Sequence, residues 1–151
     1  MQHSSSKFLK VLFLFVLSLA SFGASAESSK EFGDYVVHYN AFRSDTISPE
    51  VAKQYGLARA SNRALINIAV LKKVMNTTGK PTAAKVTGHA SNLTGQLKKL
   101  EFREIHEGNA IYYLADVKIS DGEFLKFDLK IVPEGESRAA RLKFEKRFFT
   151  N

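Results

Sequence analysis

The segment Glu123-Phe124-Leu125-Lys126-Phe127-Asp128-Leu129-Lys130-Ile131 alternates apolar and polar side chains with a period of two. Successive side chains of an extended strand point to opposite faces, so this pattern describes a strand with one dry and one wet side. Leu125, Phe127, Leu129 and Ile131 are expected to face a core, while Lys126, Asp128 and Lys130 face water. The preceding Asp121-Gly122 pair tolerates the positive φ angles of a type I′ turn. It therefore predicts a hairpin between this strand and residues 111–119.

The same period recurs through most of the chain. Residues 34–42 are rich in β-branched and aromatic side chains, with Tyr35, Val37, Tyr39 and Ala41 on one face. Ser48-Pro49-Glu50 carries a Ser cap, a first-turn proline and an acid, which predicts a short helix closed by Gly56. Residues 63–71 are apolar on both alternating sets, as suits a strand in the middle of a sandwich; periodicity alone also allows a buried helix. Residues 76–81 form a loop, 84–91 a weaker small-residue strand, 97–105 a strand, and Glu107-Gly108-Asn109 a turn. Pro133, Gly135 and Ser137 mark a polar loop before a last strand over 142–149. About seven strands and one short helix predict an all-β, two-layer antiparallel β-sandwich of immunoglobulin-like type, with a small closed barrel as second choice. There is no cysteine and no tryptophan, so the 12 phenylalanines and 5 tyrosines must supply the bulk of the core.

Residues 1–26 are expected to be a cleavable secretory signal. Lys7 and Lys10 start it, residues 11–20 are apolar, and Ala24-Ser25-Ala26 offers small side chains where signal peptidase requires them. The apolar run is shorter than the roughly 20 residues that span a bilayer. Cleavage near Ala26/Glu27 would leave residues 27–151 as one β-sandwich domain with no further transmembrane segment, and the style of the signal points to a bacterial periplasm. The missing cysteine excludes disulfides, thiol chemistry, thiolate metal sites and a lipidated cysteine at the cleavage site. Residues 27–151 carry 20 basic and 15 acidic side chains, net +5, which favours acidic partners such as anionic lipid headgroups or polyanionic glycans. Nucleic acid is not expected, because the basic pairs Lys72-Lys73, Lys98-Lys99 and Lys146-Arg147 are scattered and interleaved with Glu101, Glu104, Glu107 and Glu123.

No catalytic constellation stands out. His38, His89 and His106 lack the spacing of a metal motif, and neither a metal nor a cofactor is expected. G-x-S-x-G and glycine-rich phosphate loops are absent, and Asp116, Asp121 and Asp128 do not assemble into an acid–base pair. Two stretches are unusual for their polarity. Residues 88–96 are small and polar inside a β pattern, which reads as a bulged connection or, alternatively, as a polar binding patch around Asn92 and Gln96. On residues 36–42, His38 and Asn40 share the face opposite Tyr35, Val37 and Tyr39, either as the wet side of a sheet or as a polar groove.

At these residues the chain resembles the exported bacterial family catalogued as domain of unknown function 4426. Four blocks carry the resemblance in order. They are Val37-His38-Tyr39-Asn40-Ala41-Phe42, Pro49-Glu50-Val51-Ala52-Lys53-Gln54-Tyr55-Gly56-Leu57, Asn92-Leu93-Thr94-Gly95-Gln96 and Ala110-Ile111-Tyr112-Tyr113. The resemblance implies an exported β-rich protein made as a single domain, and it carries over no catalytic residue. It draws attention to His38, Asn40, Asn92 and Gln96 as candidate binding residues, because a core does not require them. The first functional expectation is a non-enzymatic binding or accessory module that engages an envelope protein through a sheet face or edge. The second is a small-ligand protein or enzyme with a polar site near His38, Asn92 and Gln96, and the third a salt-sensitive binder of anionic lipid or glycan.

Overall fold

A computed structural model describes residues 28–151; the expected export signal over 1–26 lies outside the described residues. The period-two segments become strands of two antiparallel sheets. In chain order they are β1 (Ser28–Phe32), β2 (Tyr35–Arg43), α1 (Pro49–Tyr55), β3 (Arg63–Lys72), β4 (Lys80–Pro81) and β5 (Ala84–Asn92). β6 (Leu97–Leu100), β7 (Arg103–Glu107), β8 (Ala110–Lys118), β9 (Phe124–Pro133) and β10 (Ala140–Arg147) complete the set. Six strands form one sheet in the order β1-β2-β3-β8-β7, with β4 on the far end of β3, and four form the other in the order β10-β9-β5-β6.

The alternation at 123–131 places its residues as expected. Leu125, Phe127, Leu129 and Ile131 are buried, and they meet Val37, Ile66, Ile68, Val70 and Val117 of the opposite sheet in one core. Aromatic rings tie the layers together at its centre. Tyr39 of β2 lies 4.8 Å from Phe144 of β10, which stacks on Phe127 at 4.6 Å, and Phe148 meets Phe127 edge-on. Each such contact adds about 0.5–1.5 kcal/mol beyond the burial of area.

The helix forms where its caps predict. Ser48 Oγ accepts from the Val51 amide at 3.3 Å, and Gly56 ends the helix in the left-handed conformation. Lying on the outer side of the six-stranded sheet, α1 buries Ala52 with Ile47 and Leu65, which explains half of the doubly apolar pattern of β3. Ala64, Ile66, Ile68 and Val70 face the core, while Leu65 faces the helix side.

Ten strands are present among the described residues rather than about seven, and the expected hairpin of residues 111–119 with 123–131 does not form: β8 and β9 lie in different sheets, so the Asp121-Gly122 turn carries the chain from one layer to the other. The expected strand over 97–105 is two strands in different sheets, β6 against β5 and β7 against β8. The chain crosses at Glu101-Phe102, where Phe102 packs on the core, and apolar spacing continues through the corner without a break to mark it. β1 is polar and exposed except at Phe32, which packs on the core, and the Gly33-Asp34 turn that pairs it with β2 is its signal. β4 is a two-residue ladder with no pattern to read.

Gly88 sits where β5 passes β9 most closely. A Cβ there would lie 2.3 Å from the Asp128 carbonyl oxygen and 2.9 Å from the Leu129 Cα, and backbone cannot swing aside. Gly88→Ala is expected to cost about 2–3 kcal/mol in urea unfolding. Gly95→Ala, with open space around its Cβ but φ of +81°, should cost only about 1 kcal/mol. Equal losses at the two positions would contradict this account of the close approach.

Candidate functional site

Alternation decides where each candidate side chain goes. Val37 and Ala41 of β2 are buried, so His38 and Asn40 project from the opposite, outer face of the six-stranded sheet. His38 pairs with Ala69 and Asn40 with Asn67 on β3. Around them the outward positions are Val36 and Phe42 on β2, Leu65 and Leu71 on β3, and Tyr112 and Leu114 on β8. The middle of this face carries no Lys, Arg, Asp or Glu. Charges gather at its margins: Arg63 bonded to Asp116, Arg103 on β7, and Glu31 bonded to Lys73. Val36, His38, Asn40, Phe42, Ala69, Leu71, Tyr112 and Leu114 are all only half-buried.

Asn92 and Gln96 belong to the other sheet, so the structure joins the four candidates as two pairs and not as one site. Asn92 closes the β5–β6 turn. Its Oδ1 accepts from the Thr94 amide, the Thr94 hydroxyl and the Gln96 amide at 3.2, 2.7 and 2.9 Å. Its Nδ2 donates to Gln96 Oε1 at 3.1 Å and to Glu123 Oε1 at 3.2 Å. The partners of this cluster are Lys98 and Glu123. Lys98 Nζ donates to both Glu123 oxygens, at 2.7 and 2.9 Å, and to the Lys118 carbonyl at 2.7 Å. The signal was there in outline, since Lys98 is inward by parity with Leu100 and therefore needs an acid. An open depression of about 670 Å³ lies beside the cluster, lined by Asn92, Gln96, Lys98, Asp116, Ser120 and Glu123. All three protons of Lys98 and both oxygens of Glu123 are committed to partners within the fold.

The outward face of the four-stranded sheet has a different chemistry. Register gives its rows across β6, β5, β9 and β10 as Leu97–Ser91–Lys126–Glu145 and Lys99–His89–Asp128–Lys143. Then come Thr87–Lys130–Arg141 and Lys85–Val132, with Arg147 against Phe124 at the other end. Asp128 is taken up by Arg141, at 2.8 and 2.6 Å, and by Lys143 at 3.7 Å; the Arg141 bonds hold its carboxyl below the usual range.

The three histidines lie apart: His38 on the outer face of one sheet, His89 on the outer face of the other, and His106 beside Glu104 on edge strand β7. Glu104 also accepts from the Tyr113 hydroxyl at 2.9 Å, and that hydroxyl accepts from the Ala84 amide at 2.7 Å, so the network pins one sheet to the other. The His106 and Tyr113 bonds hold the Glu104 carboxyl below its ordinary range. Among the described residues, no three His, Cys, Asp or Glu side chains gather as a metal would need, and no helix is long and apolar enough to cross a membrane.

The fold and its faces define an antiparallel β-sandwich whose candidate residues line surfaces rather than an enclosed cavity. The chain belongs to the family described as "Domain of unknown function (DUF4426)", which it matches over residues 29–151. It is similar to the crystal structure of a DUF4426 family protein from Pseudomonas aeruginosa PAO1, with 40% identity and a TM-score of 0.73. That likeness covers 84% of this chain and 98% of the other. FetP of uropathogenic Escherichia coli strain F11, recombinantly expressed in the periplasm of E. coli, shares the fold at 12% identity and a TM-score of 0.58, over 82% of this chain and 94% of that one. A copper-bound FetP variant matches at 12% identity and a TM-score of 0.57, over 82% and 95%. No curated protein matches the chain.

The cluster around Glu123 makes a pH prediction. Burial raises its carboxyl, but the bonds from Lys98, the Ser120 amide and Asn92 outweigh burial and hold it below the usual range. A carboxyl depressed in the folded state adds stability that is complete at neutral pH. That stability is lost as pH falls from about 4.3 through the folded value. Glu123→Gln is expected to lose about 2 kcal/mol at pH 7, because it leaves Lys98 half-buried without its anion, and to lose less than wild type on acidification. Urea unfolding at pH 7 and pH 3 reads both effects.

Proposed function

We propose that the protein is an exported, non-enzymatic binding module that engages a protein partner in the bacterial envelope through the outer face of its six-stranded sheet. The observation that supports this is the uncharged, half-buried middle of that face, around His38 and Asn40, ringed by Arg63, Asp116, Arg103 and Glu31. A wet sheet face with no function ordinarily carries charge, whereas the core of a protein interface is depleted in charge, holds aromatic side chains and keeps its charged groups at the rim. His38, Asn40 and Tyr112 supply the directional hydrogen bonds, and Val36, Ala69 and Leu114 the contact area. Export to the periplasm is part of the proposal and rests on the pattern of residues 1–26.

A second reading is favoured by the depression beside Asn92 and Gln96, which has the size of a small-ligand site. Its polar groups already satisfy one another, so a ligand would have to compete with those bonds.

Photo-crosslinking side chains placed at positions 38 and 40, with position 85 as control, separate the readings in living cells. One adduct from 38 and 40, absent from 85, is expected. It should be lost in Ala69→Lys, a variant whose unfolding midpoint is checked against wild type, and kept in Gln96→Ala. Loss in Gln96→Ala alone would move the site to the depression, and adducts equal at all three positions would overturn the proposal.

A further inference from the structure

The seven outward cations of the four-stranded sheet, named above row by row, account for the charge of the whole domain. They and the two carboxylates on the outward positions of the paired strands, Asp128 and Glu145, give net +5, and the rest of residues 27–151, Glu101 beside Lys99 included, is balanced at thirteen charges of each sign. All seven are exposed. Neighbouring cations repel, so a face that gathers them is unfavourable for the isolated fold. Asp128 relieves the centre by binding Arg141 and Lys143, and Glu101, just beyond β6, pairs with Lys99 at 3.2 Å, but Lys85 and Lys130 have no acid facing them across the paired strands.

A second feature borders the same face. Leu97 stands in its outward row, opposite Ser91, and Leu93 follows directly after β5; they are 67% and 68% exposed. Two bare leucines beside a cationic face lose free energy in water and have no use for a soluble polyanion. They fit a surface that is anionic outside and apolar just beneath. We infer that this sheet face docks on an anionic phospholipid bilayer, with the lysines and arginines on the phosphate layer and the turn bearing Leu93 and Leu97 set into the acyl boundary.

The test is co-sedimentation of the purified protein with vesicles of phosphatidylcholine alone and of equal parts phosphatidylcholine and phosphatidylglycerol, with heparin as a soluble polyanion. Retention only on the anionic vesicles, fading as salt rises from about 0.05 to 0.5 M, is expected. Each lysine near the anionic surface strengthens partitioning about fivefold, so Lys99→Gln/Lys126→Gln/Lys130→Gln should weaken it about a hundredfold. Leu93→Ser/Leu97→Ser should weaken vesicle binding about tenfold or more and leave heparin binding unchanged. These positions are exposed, so their unfolding midpoints should match wild type. No retention on anionic vesicles at low salt would overturn the inference. So would equal retention on neutral vesicles, or a leucine variant that binds vesicles like wild type, which would assign the face to a soluble polyanion or glycan.

Discussion

The interlock between Leu125, Phe127, Leu129 and Ile131 on one sheet and the inward set of β3 on the other is the constraint from which the remaining structure follows. No cysteine is available to staple the chain, so this core and the ladders around it carry the stability alone. The side-chain period of a strand is two, so a one-residue slip of β9 would drive Lys126, Asp128 and Lys130 inward and expose every apolar partner. Register is therefore tightly specified. Gly88 tightens it further, because β5 and β9 approach so closely there that no other residue fits.

Once the inward set is fixed, the outward set is fixed in position but free in chemistry. Packing does not dictate what stands at positions 38, 69 or 114, nor at 85, 130 or 143. The two outer faces have used that freedom in opposite ways, one nearly without charge across its middle and one rich in cations. Sheets that merely need wetting carry mixed charge on both sides. The two proposed contacts rest on that asymmetry.

Much of the fold was legible in the residues, because the signals were local. The alternation at 123–131 and the Ser48-Pro49 helix start each act within a few residues of themselves, whereas the Asp121-Gly122 turn forms but leads from one sheet to the other, which a local turn signal does not reveal. The crossing at Glu101-Phe102 was not legible, since a chain can leave one sheet for the other without breaking its apolar spacing. The surfaces were harder still. Lys98-Lys99 and Lys146-Arg147 look like basic pairs, yet alternation sends Lys98 inward to Glu123 and Lys99 outward, and sends Lys146 inward to the Ala41 carbonyl while Arg147 turns out. The cationic face is built from residues 85 to 147 on four strands, so no window of sequence contains it. The polarity of Asn92 and Gln96 is plain in the residues, and it serves the turn they build and its tie to Glu123.

The outer faces of a two-layer sandwich point in opposite directions. A molecule held by its four-stranded sheet would therefore present His38, Asn40 and their uncharged surroundings away from whatever holds it, displaced by the thickness of two sheets spaced about 10 Å apart. Confinement of that kind raises the local concentration of the free face toward proteins at the same surface, so a weak and specific contact suffices. Rigidity is what makes the geometry work. The Tyr39, Phe144 and Phe127 stack and the Tyr113 bonds to Ala84 and Glu104 join one sheet to the other, so the two faces keep a fixed relation without a hinge between them.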